Sequence, residues 1–270
     1  MNVFTVDLEE WFHICDAGDQ LAPDRWETLP SRAEETTRRV LEMLDRSQVT
    51  ATFFVVGWVA ERHPRLVEEI LAAGHEIGSH GYWHQRAYDL GPDAFRADLQ
   101  RSVRALRDAG ATAVTSFRAP EWSINNRSLW ALDVLVEQGF VLDASMAPLK
   151  VVGDPAFPRA PHRRLTSRGS LLEVPPLVAD RFGHIMPMGW GWGLRMSSPA
   201  RVLKAIDDAN RRGLGAVLAV HPWELDPDPP RTRLRPGLHF AHYFRLGGFE
   251  RRLQEVLAGA RFSRMGQLAV

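Results

Sequence analysis

Two histidines four residues apart, His80 and His84 in Gly78-Ser79-His80-Gly81-Tyr82-Trp83-His84, and two acids on either side of Leu8, Asp7 and Glu9, are the residues best suited to chemistry. Two neutral imidazoles and one carboxylate are a common ligand set for a catalytic divalent ion, with a fourth position left for water. The histidines could face one way on a helical turn or meet around a tight loop. Glycines at 78 and 81 favour the loop, because glycine tolerates backbone shapes that strain other residues. Asp7 and Glu9 are two apart, so in a continuing strand they share a face, and one can contact an ion while the other accepts a proton from its water. Taken alone, the acids fit an exposed strand end with Glu10 better, and the histidines fit ordinary hydrogen-bonded side chains.

The elements that must position these groups show as short apolar runs between longer amphipathic ones. Strands are expected at residues 3–6, 50–56, 75–78, 114–117, 140–142, 171–174 and 216–220. Helices are expected at 32–44, 59–73, 92–108, 128–138, 199–210 and 249–257. Such alternation supports parallel strands with crossover helices, whose active groups gather where strands end. Asp7, His80, Arg118 and His221 all occupy such ends. Residues 144–169 have several prolines and no period, which suggests a functional loop, and a proline- and arginine-rich excursion follows His221 through Pro236.

The 270 residues suffice for one well-buried domain, here read as a single unit over 1–270 with a C-terminal extension around 225–270. Zero formal charge from 33 basic and 33 acidic groups argues against a broad phosphate-binding surface, and so against nucleic acid as a partner. Only Lys150 and Lys204 of the basic residues are lysines. The lone Cys15 cannot form an internal disulfide. The start lacks a basic leader and a long apolar segment, so the expectation is a cytoplasmic protein without an integral membrane segment, reaching membranes through partners.

Five ordered motifs carry a specific resemblance. They are Thr5-Val6-Asp7-Leu8-Glu9-Glu10-Trp11-Phe12, Thr52-Phe53-Phe54-Val55-Val56-Gly57, the stretch from Gly74 to His84, Phe117-Arg118-Ala119-Pro120-Glu121-Trp122 and His221-Pro222-Trp223. Together they resemble the polysaccharide deacetylases, metal-dependent carbohydrate N-deacetylases with a NodB-like domain (carbohydrate esterase family 4). Glu173-Val174-Pro175-Pro176 and the tail around His221 most resemble the branch associated with exopolysaccharide and exosortase loci. The resemblance implies a distorted, seven-stranded (β/α) barrel and hydrolysis of N-acetyl groups from a bacterial polysaccharide or its lipid-linked precursor, releasing acetate. It further implies recruitment by membrane polysaccharide machinery.

Carried over residue by residue, it implies Asp7 as general base, Glu9, His80 and His84 as metal ligands, Arg118 as the partner orienting Asp7, and His221 as general acid. Zinc is the first expectation for the ion, with nickel, cobalt and manganese also compatible with mixed N/O ligands. Many relatives have adjacent aspartates where this chain separates its acids with Leu8, and Gly81 stands where many carry Ser or Thr. Glu173 is assigned to orienting His221 or Arg118, or to capping a loop. Trp11, Trp83, Trp122, Trp190, Trp192 and Trp223 are expected to stack on sugar rings, with loop packing as their alternative role. His13 and His75 read as structural. An amidase acting on a small non-carbohydrate amide and a nonhydrolytic glycan-binding protein are the rival functions.

Overall fold

A computed structural model describes residues 1–181 and 183–268. The apolar runs become strands β1 (Asn2–Leu8), β2 (Thr52–Val55), β3 (Glu76–Ser79), β4 (Ser116–Phe117), β5 (Leu142–Asp143), β6 (His162–Thr166), β7 (Gly169–Glu173), β8 (Val178–Arg181), β9 (His184–Pro187), β10 (Val217–Val220) and β11 (Phe262–Ser263). The helices are α1 (Ala33–Arg46), α2 (Gly57–Arg62), α3 (Pro64–Ala72), α4 (Ala87–Leu90), α5 (Pro92–Asp108), α6 (Trp130–Glu137), α7 (Gly191–Met196), α8 (Pro199–Arg211), α9 (Pro236–Tyr243) and α10 (Phe249–Gly259). None is long and apolar enough to cross a membrane among the described residues.

The main sheet runs in the order β10-β1-β2-β3-β4-β5-β7-β6, with β11 also paired to β1. Every pairing from β10 through β7 is parallel, and only β6 joins antiparallel, so the parallel run has the expected seven strands. The sheet curls without closing by strand pairing. Pro175 and Pro176 follow β7 and have no N–H to give to a ladder. Irregular chain covers β10 instead: Leu177 donates its N–H to the Val217 carbonyl (3.0 Å), and the Gly189 carbonyl accepts from Ala219.

Alternation along the strands sorts side chains between two cores. Phe4, Val6 and Leu8 pack beneath the helices with Phe53, Val55, Ile77, Phe117, Leu218 and Val220. Val3, Phe54, Leu142, Ala144, Val174, Val217 and Met265 fill the inside of the curl. Thr5, Asp7 and Glu9 continue the phase of Val3, so the intervening Leu8 is what puts both acids on the inner side. At the far end the C-terminal segment plugs the curl, with Met265 N–H on Thr52 Oγ1 and Gly266 N–H on Glu76 Oε2.

Several elements differ from the sequence expectation. The single helix expected over 59–73 is two, because Pro64 starts a new helix and His63 leaves helical geometry (φ −125°, ψ 55°). The expected loop over 144–169 contains β6, whose His-Arg-Arg-Leu-Thr sequence has no buried alternation and is defined by pairing to β7. The β8–β9 hairpin, α4, α7, α9 and β11 were likewise not legible as periodic segments. Gly78 lies inside β3 rather than in the histidine loop. A Cβ there would meet Ser116 Oγ at 2.6 Å and the Phe54 ring at 2.7 Å. Gly78→Ala should therefore destabilise the fold by about 1–3 kcal/mol through overpacking, read as a lower urea midpoint with unchanged slope.

Candidate metal centre and reaction cleft

His80 ends β3 and His84 follows after a loop that α5 holds in place. Asp98 of α5 accepts the N–H groups of Tyr82 (2.7 Å) and Trp83 (3.0 Å), and Ser79 Oγ bonds Ser102 Oγ (2.8 Å). The chain reverses through left-handed conformations at Gly81 (φ 73°) and at His84 itself (φ 50°). A histidine held there stores strain of order 1 kcal/mol. The two imidazoles thus meet around a loop rather than on a helix, with ring centroids 5.1 Å apart.

Glu9 completes the cluster. Its Oε2 lies 2.5 Å from His84 Nε2 and 3.9 Å from His80 Nε2, and one ligand atom from each of the three residues falls within 4.8 Å of the others. Its Oε1 accepts the indole N–H of Trp223 (3.0 Å). His80 Nδ1 is 2.7 Å from the Arg118 carbonyl, which has only lone pairs to offer, so Nδ1 carries a proton. In the neutral ring Nε2 then presents its lone pair to the cluster. All three residues are buried, and the nearest polar group to Glu9 Oε2 is the His84 imidazole. This donor set, two imidazoles and a carboxylate buried together, fits a divalent ion held by nitrogen and oxygen.

Burial alone would raise the Glu9 carboxyl, but the charges of His84 and His221 outweigh it and hold the group below the ordinary range. Burial alone would lower His84. The Glu9 charge and the hydrogen bonds with Cys15 and Glu9 instead carry it well above the usual imidazole value. His80, dominated by burial, is lowered to about 4. Glu9 Oε2 and His84 Nε2 thus face each other as an ion pair at the place where an ion would bind.

On one side of the cluster lies Asp7. Arg118, fully buried, donates from Nη1 to Asp7 Oδ1 (2.7 Å) and to Thr5 Oγ1 (2.7 Å), and from Nε to the Ala144 carbonyl (3.1 Å). On the other side His221, at the end of β10, brings Nε2 to 4.0 Å from Asp7 Oδ2 and 3.9 Å from Glu9 Oε1. Its Nδ1 bonds Glu224 Oε2 (3.0 Å). Burial would lower His221, but the charges of Glu224 and Glu9, the Glu224 hydrogen bond and the Asp7 charge raise it to about 9. The imidazole is therefore protonated near neutral pH.

These groups line a cavity of about 230 Å³ together with His13, Trp122, Trp190, Trp192, Trp223 and the α9 residues Leu238, Ala241 and His242. Trp122 and Trp190 pack with ring centroids 5.2 Å apart, and both Glu121 and Trp122 have positive φ (53° and 54°).

Three expected site residues lie elsewhere. Trp11 is buried and donates its indole N–H to the Pro30 carbonyl (2.9 Å), so it packs the core. Trp83 lies against Trp26 and lines a separate cavity behind His84. Glu173 does not reach His221, but its charge acts on Arg118 and it caps a loop, as the other two alternatives had it. Leu172 and Val174 face the inside of the curl, so Glu173 between them points to the other face of the sheet, where its Oε1 accepts the Met146 N–H (3.0 Å) and it faces Asp143 in the register of β5. Sequence reading missed Glu224 as the partner of His221, Arg195 behind it, and Asp98. The i, i+3 spacing of His221 and Glu224 was the one available signal.

A curled, mainly parallel sheet with a buried Glu-His-His cluster at its strand ends defines an α/β fold with a candidate metal site. Residues 24–136 match the polysaccharide deacetylase family, and residues 144–270 match a domain of unknown function (DUF3473). Over 109 residues it is 32% identical to a peptidoglycan-N-acetylglucosamine deacetylase of Bacillus cereus, covering 40% of this chain and 38% of that protein. Over 104 residues it is 36% identical to a chitooligosaccharide deacetylase of Sinorhizobium fredii, covering 37% of this chain and 44% of that protein. The chain thus spans under half the length of these curated relatives. The crystal structure of a Mycobacterium smegmatis protein assigned as a polysaccharide deacetylase superposes with a TM-score of 0.65 at 25% identity, over 99% of this chain and 87% of the other. A CE4 family pseudoenzyme from Bacillus anthracis shares the fold at 17% identity and TM-score 0.52, over 100% of this chain and 65% of the other.

Two outcomes follow from these geometries. An ion entering the cluster must displace the proton on His84, so zinc binding should release about one proton per ion near pH 7 and weaken as pH falls. Calorimetric titration in buffers of different ionisation enthalpy measures both. Burial raises Asp143 to about 6, and burial with the neighbouring Asp143 charge raises Glu173 above its usual value. The folded state then holds a proton that the unfolded chain releases, so stability falls as pH rises from the ordinary carboxyl range past about 6. Urea midpoints between about pH 5 and 8 should decline less in Glu173→Gln than in the wild type.

Proposed function

We propose that this protein is a metal-dependent deacetylase that hydrolyses N-acetyl groups of a bacterial polysaccharide or its lipid-linked precursor. The observation that carries the reading is the placement of Asp7, the Glu9-His80-His84 cluster and His221 around one cavity. Residues 1–270 act as one catalytic unit in this reading, since β1, β10 and β11 bring both ends of the chain into one sheet.

Glu9, His80 and His84 would hold the ion, zinc first among the candidates, and the bound ion supplies Lewis-acid polarisation of an acetamide carbonyl and of water. Asp7, aimed by the hydrogen bond from Arg118, accepts the proton of the attacking water. Across the cleft, His221 gives its Nε2 proton to the departing amide nitrogen, because an unprotonated amine anion is a poor leaving group. Trp190 and Trp192, half-buried in the cavity wall, offer apolar faces for a sugar ring, whereas the buried rings of Trp122 and Trp223 are already covered, Trp122 by Arg118 and Trp223 by His221 and His242. The products are acetate and a free amino sugar. The branch that the Glu173-Val174-Pro175-Pro176 and His221 motifs resemble supports an exopolysaccharide substrate and recruitment to its membrane machinery.

Acetate release from N-acetylated oligosaccharides, measured beside elemental metal content, tests the reading. Asp7→Asn should retain metal and lose about 100- to 10,000-fold in kcat, whereas Glu9→Gln should lose the metal as well. Full turnover in Asp7→Asn sinks the base assignment. Tight glycan binding without acetate release under any of zinc, nickel, cobalt and manganese favours a binding protein. Turnover of small amides alone favours a different amidase.

A further inference from the structure

His221 rests on a buried relay that the reaction as written does not use. Glu224, fully buried, accepts from both the Nδ1 (3.0 Å) and the backbone N–H (2.9 Å) of His221 through Oε2. Its other oxygen, Oε1, lies 2.7 Å from Nε of Arg195, close as an ion pair though not aligned as a hydrogen bond. Arg195 is itself only 1% exposed. Its remaining nitrogens serve the end of α9: Nη1 donates to the carbonyls of His242 (3.1 Å) and Phe244 (2.6 Å), and Nη2 to that of Ala241. Those are carbonyls that a helix terminus leaves without partners, at the negative end of its dipole.

We propose that Arg195 is a positioning residue of the reaction centre: by binding Glu224 and the carbonyl end of α9 together, it makes the folding of residues 236–244 a condition for holding His221 in its working orientation. The inference rests on the acetamide-hydrolysis reading for its kinetic consequence, but not for its geometry. A buried carboxylate is costly unless it is paired. With Arg195 in place, Glu224 stays anionic and accepts both His221 donors, leaving Nε2 of His221 as the atom turned toward Asp7 and Glu9. Without Arg195, Glu224 would be a buried acid without its counter-charge and would relieve that penalty by moving or taking up a proton.

A second contact from α9 reaches the same centre. His242 stacks on Trp223 with centroids 4.1 Å apart, and Trp223 holds Glu9 Oε1 through its indole N–H. Leu238, Ala241 and His242 also form the cavity wall on that side. One short helix therefore backs the candidate acid through Arg195 and the candidate metal-binding carboxylate through Trp223. Every residue of this arrangement except Glu9 falls within 144–270, the segment that matches a domain of unknown function. Positioning the centre gives that segment a role.

The test compares wild type, Arg195→Met and Arg195→Lys. Lysine keeps the charge beside Glu224 but cannot also reach three carbonyls with fixed geometry. In proton NMR with ¹⁵N-labelled histidine, the wild type should show a hydrogen-bonded Nδ1–H signal from His221 that is absent in Glu224→Gln and lost or exchange-broadened in Arg195→Met. Persistence of an unshifted signal in Arg195→Met overturns the proposal. Where acetate release is measurable, kcat should fall about 100-fold, as expected for a misplaced catalytic group, with KM changed less than about threefold and partial rescue of Arg195→Met by guanidinium ion. A lower unfolding midpoint with kcat retained would make Arg195 merely structural and would also overturn it. If the methionine variant does not fold, the same two readouts on Arg195→Lys decide. If the wild type releases no acetate, the deacetylase reading fails while the NMR comparison still judges the relay.

Discussion

The buried guanidinium of Arg118 is the interaction around which the inside of this protein is arranged. It projects from the end of β4 into the curl, where it holds Thr5 and Asp7 of β1 and the Ala144 carbonyl just past β5. Its own carbonyl takes the His80 proton at the end of β3. Its flat faces rest on Phe54 and Trp122, 4.4 and 4.3 Å from the ring centroids. A fully buried cation is tolerated only where its donors find charge and carbonyls, and its neighbours are constrained in turn. Four strands must end at one level for these bonds to form together, and that level is where Asp7, Glu9, His80 and His221 project.

A second buried cation mirrors it at the opposite wall. Arg195 stands behind Glu224 and His221 as Arg118 stands behind Asp7. The cleft therefore has a carboxylate held by an arginine on one side and an imidazolium held by a glutamate on the other, with the Glu-His-His cluster between them. Such separation of an acid and a base by environment is what proton transfer in both directions across a small cavity requires. Three non-glycine residues with left-handed backbone, His84, Glu121 and Trp122, lie at the same rim.

Much of this was legible in the chain because strands alternate with period two. Val3, Asp7 and Glu9, then Gly78 and His80, then Ser116 and Arg118, then Val217 and His221, each follow one phase to a strand end, so the inner face could be counted from apolar runs. The same counting, applied with the correct phase of β7, excludes Glu173 from the cleft, since Leu172 and Val174 take the inward positions. That phase was not available from a four-residue run beside two prolines. Trp11 and Trp83 failed for a related reason. A tryptophan beside a motif can turn to the cavity or to the core, and only packing against Pro30 in one case and Trp26 in the other decides.

The sequence by itself determined the alternation of strands and helices, the strand-end positions of Asp7, His80, Arg118 and His221, the shared face of Asp7 and Glu9, and the donor chemistry of a Glu-His-His set, because these follow from residue type and local period. The tertiary structure decided which acid partners His221, which tryptophans meet the cavity, and that α9 walls it. These depend on contacts between segments far apart in the chain, such as Arg195 with residues 241–244 and Trp223 with Glu9, for which no local period exists. It also decided that the curl stays open at β10, where two prolines deny the ladder its donors and irregular chain takes the place of a strand.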